Sequence, residues 1–399
     1  MQKTSIEDLS KEELNNKIVL IRVDFNVPFE NGIITDDSRI KAALPTLEYL
    51  LQQGSRCVIA SHLGRPKGKK DPSLSLAPIA SHLSTLIKQD VFMCNDSIGN
   101  QIKETIKKQN DTKLFLLENV RFYEEEENNN ETFAKELASL ADIFVQDAFG
   151  TAHRAHASTA GIANYLPAYA GLLVKKELTF LQGVFDQPEK PLLAIVGGAK
   201  VSTKIGVLNH LLDTVDYLVI GGGMAFTFLK AQGYAIGKSL CEDDKCDLAL
   251  ALLDKALTLN KSILLPLDLV VSTAIDDTDS SYIVDAQNIP ENTMGLDVGP
   301  QTIEAIESLI KLSKTVLWNG PLGVFEVEAF SKGTCEVAKQ LATSNAITII
   351  GGGDSVAAVH KVNQAKFMSH ISTGGGACLE YLEGKELPGI ACLKEKETV

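Results

Sequence analysis

The sequence predicts an α/β protein with two doubly wound parallel sheets, one in each of two domains joined by a connector helix. Three observations predict it. The strand-like runs are continuously apolar instead of alternating, as expected of strands covered on both faces. They alternate with longer amphipathic stretches along the whole chain. The length, 399 residues, exceeds what one ordinary core takes up.

In order, the expected strands of the first half are 17–23 (KIVLIRV), 56–61, 90–94, 113–118 and 142–147. Those of the second half are 191–197 (PLLAIVG), 216–221, 262–266, 314–320 and 346–352. Between them, helical periodicity runs through DSRIKAALPTLEYLLQQG, ETFAKELASLA, STKIGVLNHLL and SKGTCEVAKQLA. The stretch 171–187 reads as one amphipathic helix stopped by the prolines of DQPEKP, and it is the expected connector. The acidic run EEEENNNE (124–131) reads as a solvated surface loop and helix start.

Composition narrows the function. Hydrophobic residues at 45% and charged residues at 22% describe a globular chain, not a disordered or collagen-like one. The net charge of −13 argues against a general nucleic-acid or anionic-membrane surface. Any anionic ligand must then be met by a local concentration of arginine, lysine and backbone N–H groups. Seven cysteines spread singly do not form a disulfide framework, and the spacing of Cys241 and Cys246 in CEDDKC reads as free thiols instead of a metal site. The opening MQKTSIEDLSKEELNNK lacks a signal-peptide core, and no window approaches 18 uninterrupted apolar residues, so a reduced, cytoplasmic protein is expected.

Ligands of open α/β sheets bind beyond the carboxyl ends of the strands, and the residues placed there differ between the halves. In the first half they are Asp24 and Asn26, with Arg39 downstream; then His62, Gly64 and Arg65; then Arg121; and finally His153, Arg154 and His156. A lone arginine usually makes a surface ion pair. Four at separate strand-to-helix crossings suggest a small polyanionic substrate held by bidentate guanidinium contacts. The histidine pair in HRAH lacks a third ligand nearby and fits anion contact or local hydrogen bonding better than metal.

The second half offers glycine instead: GGAKVSTK (197–204), GGG (221–223), WNGPLGVFE (318–326), GGGDS (351–355) and STGGG (372–376). Glycines allow close backbone approach, and helix N-termini present free amides to phosphate. Lys200 and Lys204 stand beside these turns, and Asp354 either caps a helix or holds Mg²⁺ on nucleotide phosphates. GYAIGKS (233–239) imitates a phosphate-binding loop, but Gln232 occupies the position of its first glycine. No G-x-G-x-x-G opens a helix near the chain start, which removes support for a dinucleotide-dependent dehydrogenase.

The segments IRVDFNVP, DDSRIKAALPT, SHLGRP, LLENVRF, DAFGTAHRAHAS, GGAKVSTKI, WNGPLGVFE, GGGDSVAA and STGGGACLEYLEGKELPG resemble the phosphoglycerate kinase family in order and spacing, over nearly the whole chain. The resemblance implies two Rossmann-like domains, a monomer, and reversible phosphoryl transfer from 1,3-bisphosphoglycerate to ADP, giving 3-phosphoglycerate and MgATP. Triose would bind residues 1–170, to which the segment 386–399 returns; residues 171–187 would connect; nucleotide would bind residues 188–385.

Carried over by motif, the triose site comprises Asp24, Asn26, Arg39, His62, Leu63, Gly64, Arg65, Arg121 and Arg154. The nucleotide site comprises Gly198, Ala199, Lys200 and Lys204, then Gly222 and Gly223, Asn319, Pro321 and Glu326, with Gly352, Gly353, Asp354 and Ser355 at the phosphates. Asp354 would hold the Mg²⁺ that accompanies ADP or ATP. Arg39, Lys200, Lys204 and the amides of Gly374, Gly375 and Gly376 are the expected catalytic groups. Ser38 and Ser355 replace the threonine of many relatives and keep its hydroxyl. A two-lobed solute receptor would share the architecture, but not the missing signal peptide or the glycine–lysine turns.

Overall fold

The apolar runs form two parallel six-stranded sheets, each covered by helices, in a computed structural model that describes residues 2–30 and 32–396. Met1, Asn31 and residues 397–399, which fall within the expected triose-binding segments 1–170 and 386–399, lie outside the described residues. The chain divides into two compact units, one reaching Leu178 and taking in the segment from Glu386, the other Thr179–Lys385.

The first sheet comprises β1 (Ile18–Arg22), β2 (Arg56–Ala60), β3 (Val91–Met93), β4 (Leu114–Leu116), β5 (Ile143–Gln146) and β6 (Ala168–Ala170), in the order β3-β4-β2-β1-β5-β6. Alternate residues Val19 and Ile21 of β1, with Cys57 and Ile59 of β2, pack with Ile40, Ala43, Leu47 and Leu50 of helix α1 (Ser38–Gln52). Leu20, Val58, Phe115 and Phe144, on the opposite face, are buried as well. Burial on both faces is what the continuous apolar runs require. Two further helices, α2 (Glu124–Glu127) and α3 (Glu131–Ala138), come after β4. The segment from Glu386 returns to this unit: the Gly389 amide donates to the Ala152 carbonyl at 2.8 Å and that of Lys394 to Ala168 at 3.0 Å.

Helix α4 (Leu172–Phe185) carries the division between the units, which falls between Leu178 and Thr179. Its start is anchored in the first unit. Asp147, just after β5, accepts from the amides of Leu173 (2.9 Å) and Val174 (3.3 Å), and the Leu172 amide donates to Thr46 Oγ1 at 3.0 Å. Gly171 is required there, because a Cβ would lie 2.2 Å from Asp147 Oδ1.

The second sheet comprises β7 (Leu192–Val196), β8 (Tyr217–Ile220), β9 (Ser262–Leu264), β13 (Thr315–Asn319), β14 (Ile347–Gly351) and β15 (His370–Ile371), in the order β9-β8-β7-β13-β14-β15. Helices α5 (Ile205–Leu212), α6 (Lys332–Thr343), α7 (Gly353–Lys361) and α8 (Gly376–Leu382) belong to the same unit. A small antiparallel sheet, β10 (Asp268–Ser272), β11 (Tyr282–Asp285) and β12 (Met294–Val298), was not expected from the sequence pattern. Its strand β11 is largely exposed, and Gly295 and Asp297 interrupt the apolar run of β12. Both large sheets reverse strand order beside a central strand, between β1 and β5 and between β7 and β13, which is where crevices for ligands open. Among the described residues no helix is long and apolar enough to cross a membrane.

Burial raises the Asp147 carboxyl from 3.8 to about 7 against its hydrogen bonds. A raised acid favours the folded state most below its unfolded value, and the advantage disappears as pH rises through 7. Between pH 5 and 8 the wild type should therefore lose stability relative to Asp147→Asn, by on the order of 1–3 kcal/mol. Melting temperatures of both proteins across that range check it; a constant difference would contradict it.

Candidate active site

In the first unit, loops leaving β1, β2, β4 and β5 meet at the carboxyl edge of the sheet and are cross-linked there by their own polar groups. Arg39, on the first turn of α1, donates to Asp24 Oδ2 at 2.7 Å. The Gly64 amide donates to Asn26 Oδ1 at 2.9 Å, Arg121 donates to the Gly64 carbonyl at 3.1 Å, and Asn119 Nδ2 donates to the Leu63 carbonyl at 2.8 Å. Arg154 Nε lies 3.2 Å from His153 Nε2. His62 is buried among these loops, and its pKa is held well below the usual 6.5 by burial and then by Arg22, Arg121, Arg39 and Arg154. Arg121 is pushed down to about 10 by burial and by Arg22, with Glu127 opposing and Arg154 adding to the depression. The guanidinium groups thus share one field.

Three of the four expected arginines belong to this cluster. Arg65 is exposed on the loop after Gly64, and the fourth cluster member is Arg22, the last residue of β1, which is fully buried. The reading of the acidic run is corrected at one residue. Glu126 is not solvated but 0% exposed, and its carboxylate accepts from the hydroxyl (2.5 Å) and amide (2.8 Å) of Ser158. One helical turn carries the four consecutive glutamates Glu124–Glu127, so one of them faces inward even in a charged run.

In the second unit, turns after β7, β8, β13 and β14 converge in the same way, but backbone replaces side chain. A Cβ on Gly197 would sit 2.0 Å from the Pro321 carbonyl oxygen, and one on Gly320 (φ +100°) 2.2 Å from that of Gly197. These contacts bring the two turns together beside a cavity of about 470 Å³. Its lining includes Gly198, Ala199, Gly222, Gly223, Pro321, Glu326 and Asp354, all expected from the sequence. Phe226, Leu240, Leu296, Leu322 and Val324 supply an apolar wall. That wall was not legible, because its members come from separate segments with no shared motif. Lys238 of the discarded GYAIGKS stretch also lines the cavity, and its position beside a glycine was the available signal.

The remaining expected residues take several positions around these turns. Lys204 is bonded through Nζ to Asn319 Oδ1, and burial lowers its pKa while Cys378, Asp354 and Glu383 oppose the shift. Lys200 and Gly353 are exposed, and Gly352 (φ +87°) lies against the Asn319 amide. Ser355 is buried with its hydroxyl oxygen accepting from the Gly320 amide at 2.6 Å, so it supports the β13 turn. The Gly374 amide is likewise taken, by Ser372 Oγ at 3.1 Å, leaving those of Gly375 and Gly376 at the start of α8. Asp297, missed in the sequence, lines the cavity and is raised to about 7 by burial.

Asp354 is an exposed carboxylate on the first turn of α7, at the cavity, and its charge partly opposes the lowering of the Lys204 pKa by burial; such a carboxylate suits a hard divalent cation shared with phosphate oxygens. The potential ligand atoms of Cys241, Asp243 and Cys246 lie within 4.8 Å of one another, but Lys230 already pairs with Asp243 at 2.7 Å.

A family model for phosphoglycerate kinase matches residues 6–385. The chain belongs to the phosphoglycerate kinase family. It is 52% identical over 397 residues to a phosphoglycerate kinase of Clostridium botulinum, covering 99% of both chains, and 52% identical over 398 residues to one of Trichodesmium erythraeum, covering 99% of this chain and 100% of the other. The solved phosphoglycerate kinase of Coxiella burnetii superposes with a TM-score of 0.89 at 46% identity, covering 98% of each chain. That of Pyrococcus horikoshii gives 0.82 at 32%, with the same coverage. As a phosphoglycerate kinase the protein is a phosphotransferase with a carboxyl acceptor, interconverting 1,3-bisphosphoglycerate and ADP with 3-phosphoglycerate and ATP.

The backbone packing of Gly197 on Gly320 leads to a test. Gly320→Ala should weaken MgADP binding by at least about tenfold, because strain at positive φ and a clash with Gly197 displace the cavity wall. Affinity for 3-phosphoglycerate should change by less than about twofold, if the ligands use separate units. Calorimetric titration with each ligand measures both.

Proposed function

We propose that the arginine cluster of the first unit holds the triose and that the glycine-lined cavity of the second holds the nucleotide. The observation that carries this is the shared field of Arg22, Arg39, Arg121 and Arg154 at His62, on a chain whose net charge is −13. A small polyanion offsets such a concentration of positive charge, and an apolar wall beside free backbone amides suits a nucleobase and its phosphates.

The acceptor in the ATP-consuming direction is a carboxylate, ionised at pH 7, so no general base is needed. Catalysis reduces to positioning and to neutralising charge on the transferred phosphoryl group. Arg39, half-exposed beside Asp24, and Lys204, held by Asn319, are the groups proposed for its equatorial oxygens, with the Gly375 and Gly376 amides. Lys200, exposed on the turn before Lys204, adds positive charge there. Asp24 and Asn26 orient the glycerate hydroxyl, while Arg65, Arg121 and Arg154 clamp the non-reacting phosphate. Mg²⁺, which screens charge on the nucleotide phosphates when bound, is proposed at Asp354.

Direct in-line transfer requires reacting atoms about 3–3.5 Å apart in a site free of water. Ligands held on separate units meet that condition by closure about a hinge, for which α4 and the glycines of STGGG are proposed. One chain carries every group named here, in keeping with a monomer acting in the cytoplasm.

Arg39→Ala should lower kcat by about 10²–10⁴-fold and raise KM for 3-phosphoglycerate much less, since a contact made chiefly in the transition state is lost. A kcat within tenfold of wild type in a coupled assay with 3-phosphoglycerate and MgATP would overturn the assignment of Arg39.

A further inference from the structure

Beneath the arginine cluster lies a chain of buried polar groups that the transfer itself does not use. Glu126 on α2 is fully buried, and both its oxygens are engaged by Ser158, Oε1 by the hydroxyl and Oε2 by the amide. The Ser158 hydroxyl donates to Glu126, so its oxygen is free to accept, and Arg22 Nε donates to it at 2.8 Å. Arg22 is also fully buried; one of its terminal nitrogens donates to the Val23 carbonyl and the other lies 3.2 Å from His62 Nδ1.

A guanidinium has donors and no acceptor. The Arg22–His62 contact therefore requires Nδ1 to be the acceptor, so the imidazole is neutral with its proton on Nε2. Asp24 Oδ1 is 3.8 Å from the same nitrogen, too far to compete for it as a hydrogen-bond partner. Arg22 itself can stay charged in the interior only with a counter-charge, and Glu126 is the fully buried carboxylate that reaches it through one hydroxyl. His156 Nδ1, 3.8 Å from Glu126 Oε1, is too distant to divert that carboxylate by hydrogen bonding.

We propose that Glu126 is a positioning residue for the triose site: through Ser158 and Arg22 it fixes His62 as the neutral tautomer protonated at Nε2. His62 then offers one fixed N–H donor to an anionic substrate without having to take up a proton. The proposal rests on the triose site lying at this cluster. It gives Glu126, Ser158 and Arg22 a role in affinity and tautomer selection, whereas Arg39 and Lys204 act on the transferred group.

Nitrogen-15 multiple-bond correlation spectra of the full chain, with the His62 signal assigned by its loss in His62→Gln, test the tautomer directly. The wild type should show His62 neutral and protonated only at Nε2 from pH 6 to 8. A Nδ1-protonated or doubly protonated ring at pH 7 would overturn the proposal without any variant. Glu126→Gln replaces one acceptor oxygen by a donor facing Ser158, which breaks the chain. It should mix the His62 tautomers and raise KM for 3-phosphoglycerate about tenfold, with kcat changed less than about threefold and KM for MgATP unchanged. Ser158→Ala, which leaves the carboxylate in place, should shift the same two readouts and serves where Glu126→Gln does not fold. A folded variant of either kind with wild-type tautomer and wild-type KM contradicts the role. If the tautomer is as stated but saturating 3-phosphoglycerate leaves the His62 signal unmoved, the relay stands and the placement of the triose fails.

Discussion

Like charges packed at one sheet edge repel, and most of this molecule's first unit can be understood as the means of holding them there. Arg22, Arg39, Arg121 and Arg154 act on a single buried histidine, and each is tied by its own local partner: Val23 and Ser158, Asp24, Gly64 and Glu127, and His153. Burying a guanidinium without such partners costs several kcal/mol. The parallel sheet supplies the remedy through its geometry. Because β1, β2, β4 and β5 all end at one edge, the cations they bring meet acceptors from the same loops: Arg22 and Arg121 reach backbone carbonyls, Arg39 a carboxylate and Arg154 the His153 ring. A cluster that stays net-positive after these pairings is prepared for an anion before one arrives.

The corresponding edge of the second unit is built of different material. Its turns bring few fixed charges and much exposed backbone, and the close packing of Gly197 on Gly320 leaves no room for side chains between them. Ser355 and Asn319 support these turns, the one by accepting from the Gly320 amide and the other by receiving Lys204. On the assignment proposed above, a nucleotide arriving with its own divalent cation needs only an amide-rich cradle with a few lysines and Asp354, whereas a metal-free triose calls for arginines.

Much of this was legible in the sequence, for physical reasons that also explain the gaps. Strands buried on both faces, such as Leu192–Val196, appear as unbroken apolar runs. The antiparallel strands do not, since Tyr282–Asp285 is exposed on most residues and Met294–Val298 carries Gly295 and Asp297. Site residues on loops stood out because arginine and glycine after a strand have few structural reasons to be there. Arg22 did not, being the last letter of an apolar strand, and Glu126 was hidden among three other glutamates that do face outward. Average polarity of a run says nothing of which turn position points inward. The apolar cavity wall has no local signature at all, because Phe226, Leu240 and Leu322 meet only after folding.

The central claim is that the two ligand chemistries are divided between the two units, cations for the triose and backbone amides for the nucleotide. Hydrogen-exchange mass spectrometry of the full chain with one ligand at a time tests it most directly. 3-Phosphoglycerate alone should protect the loops after β1, β2, β4 and β5, near residues 24–39, 62–65, 119–123 and 148–156. MgADP alone should protect the turns near 197–204, 221–224, 320–326 and 352–355. Protection of the glycine turns by 3-phosphoglycerate alone, with the arginine loops unchanged, would contradict the account.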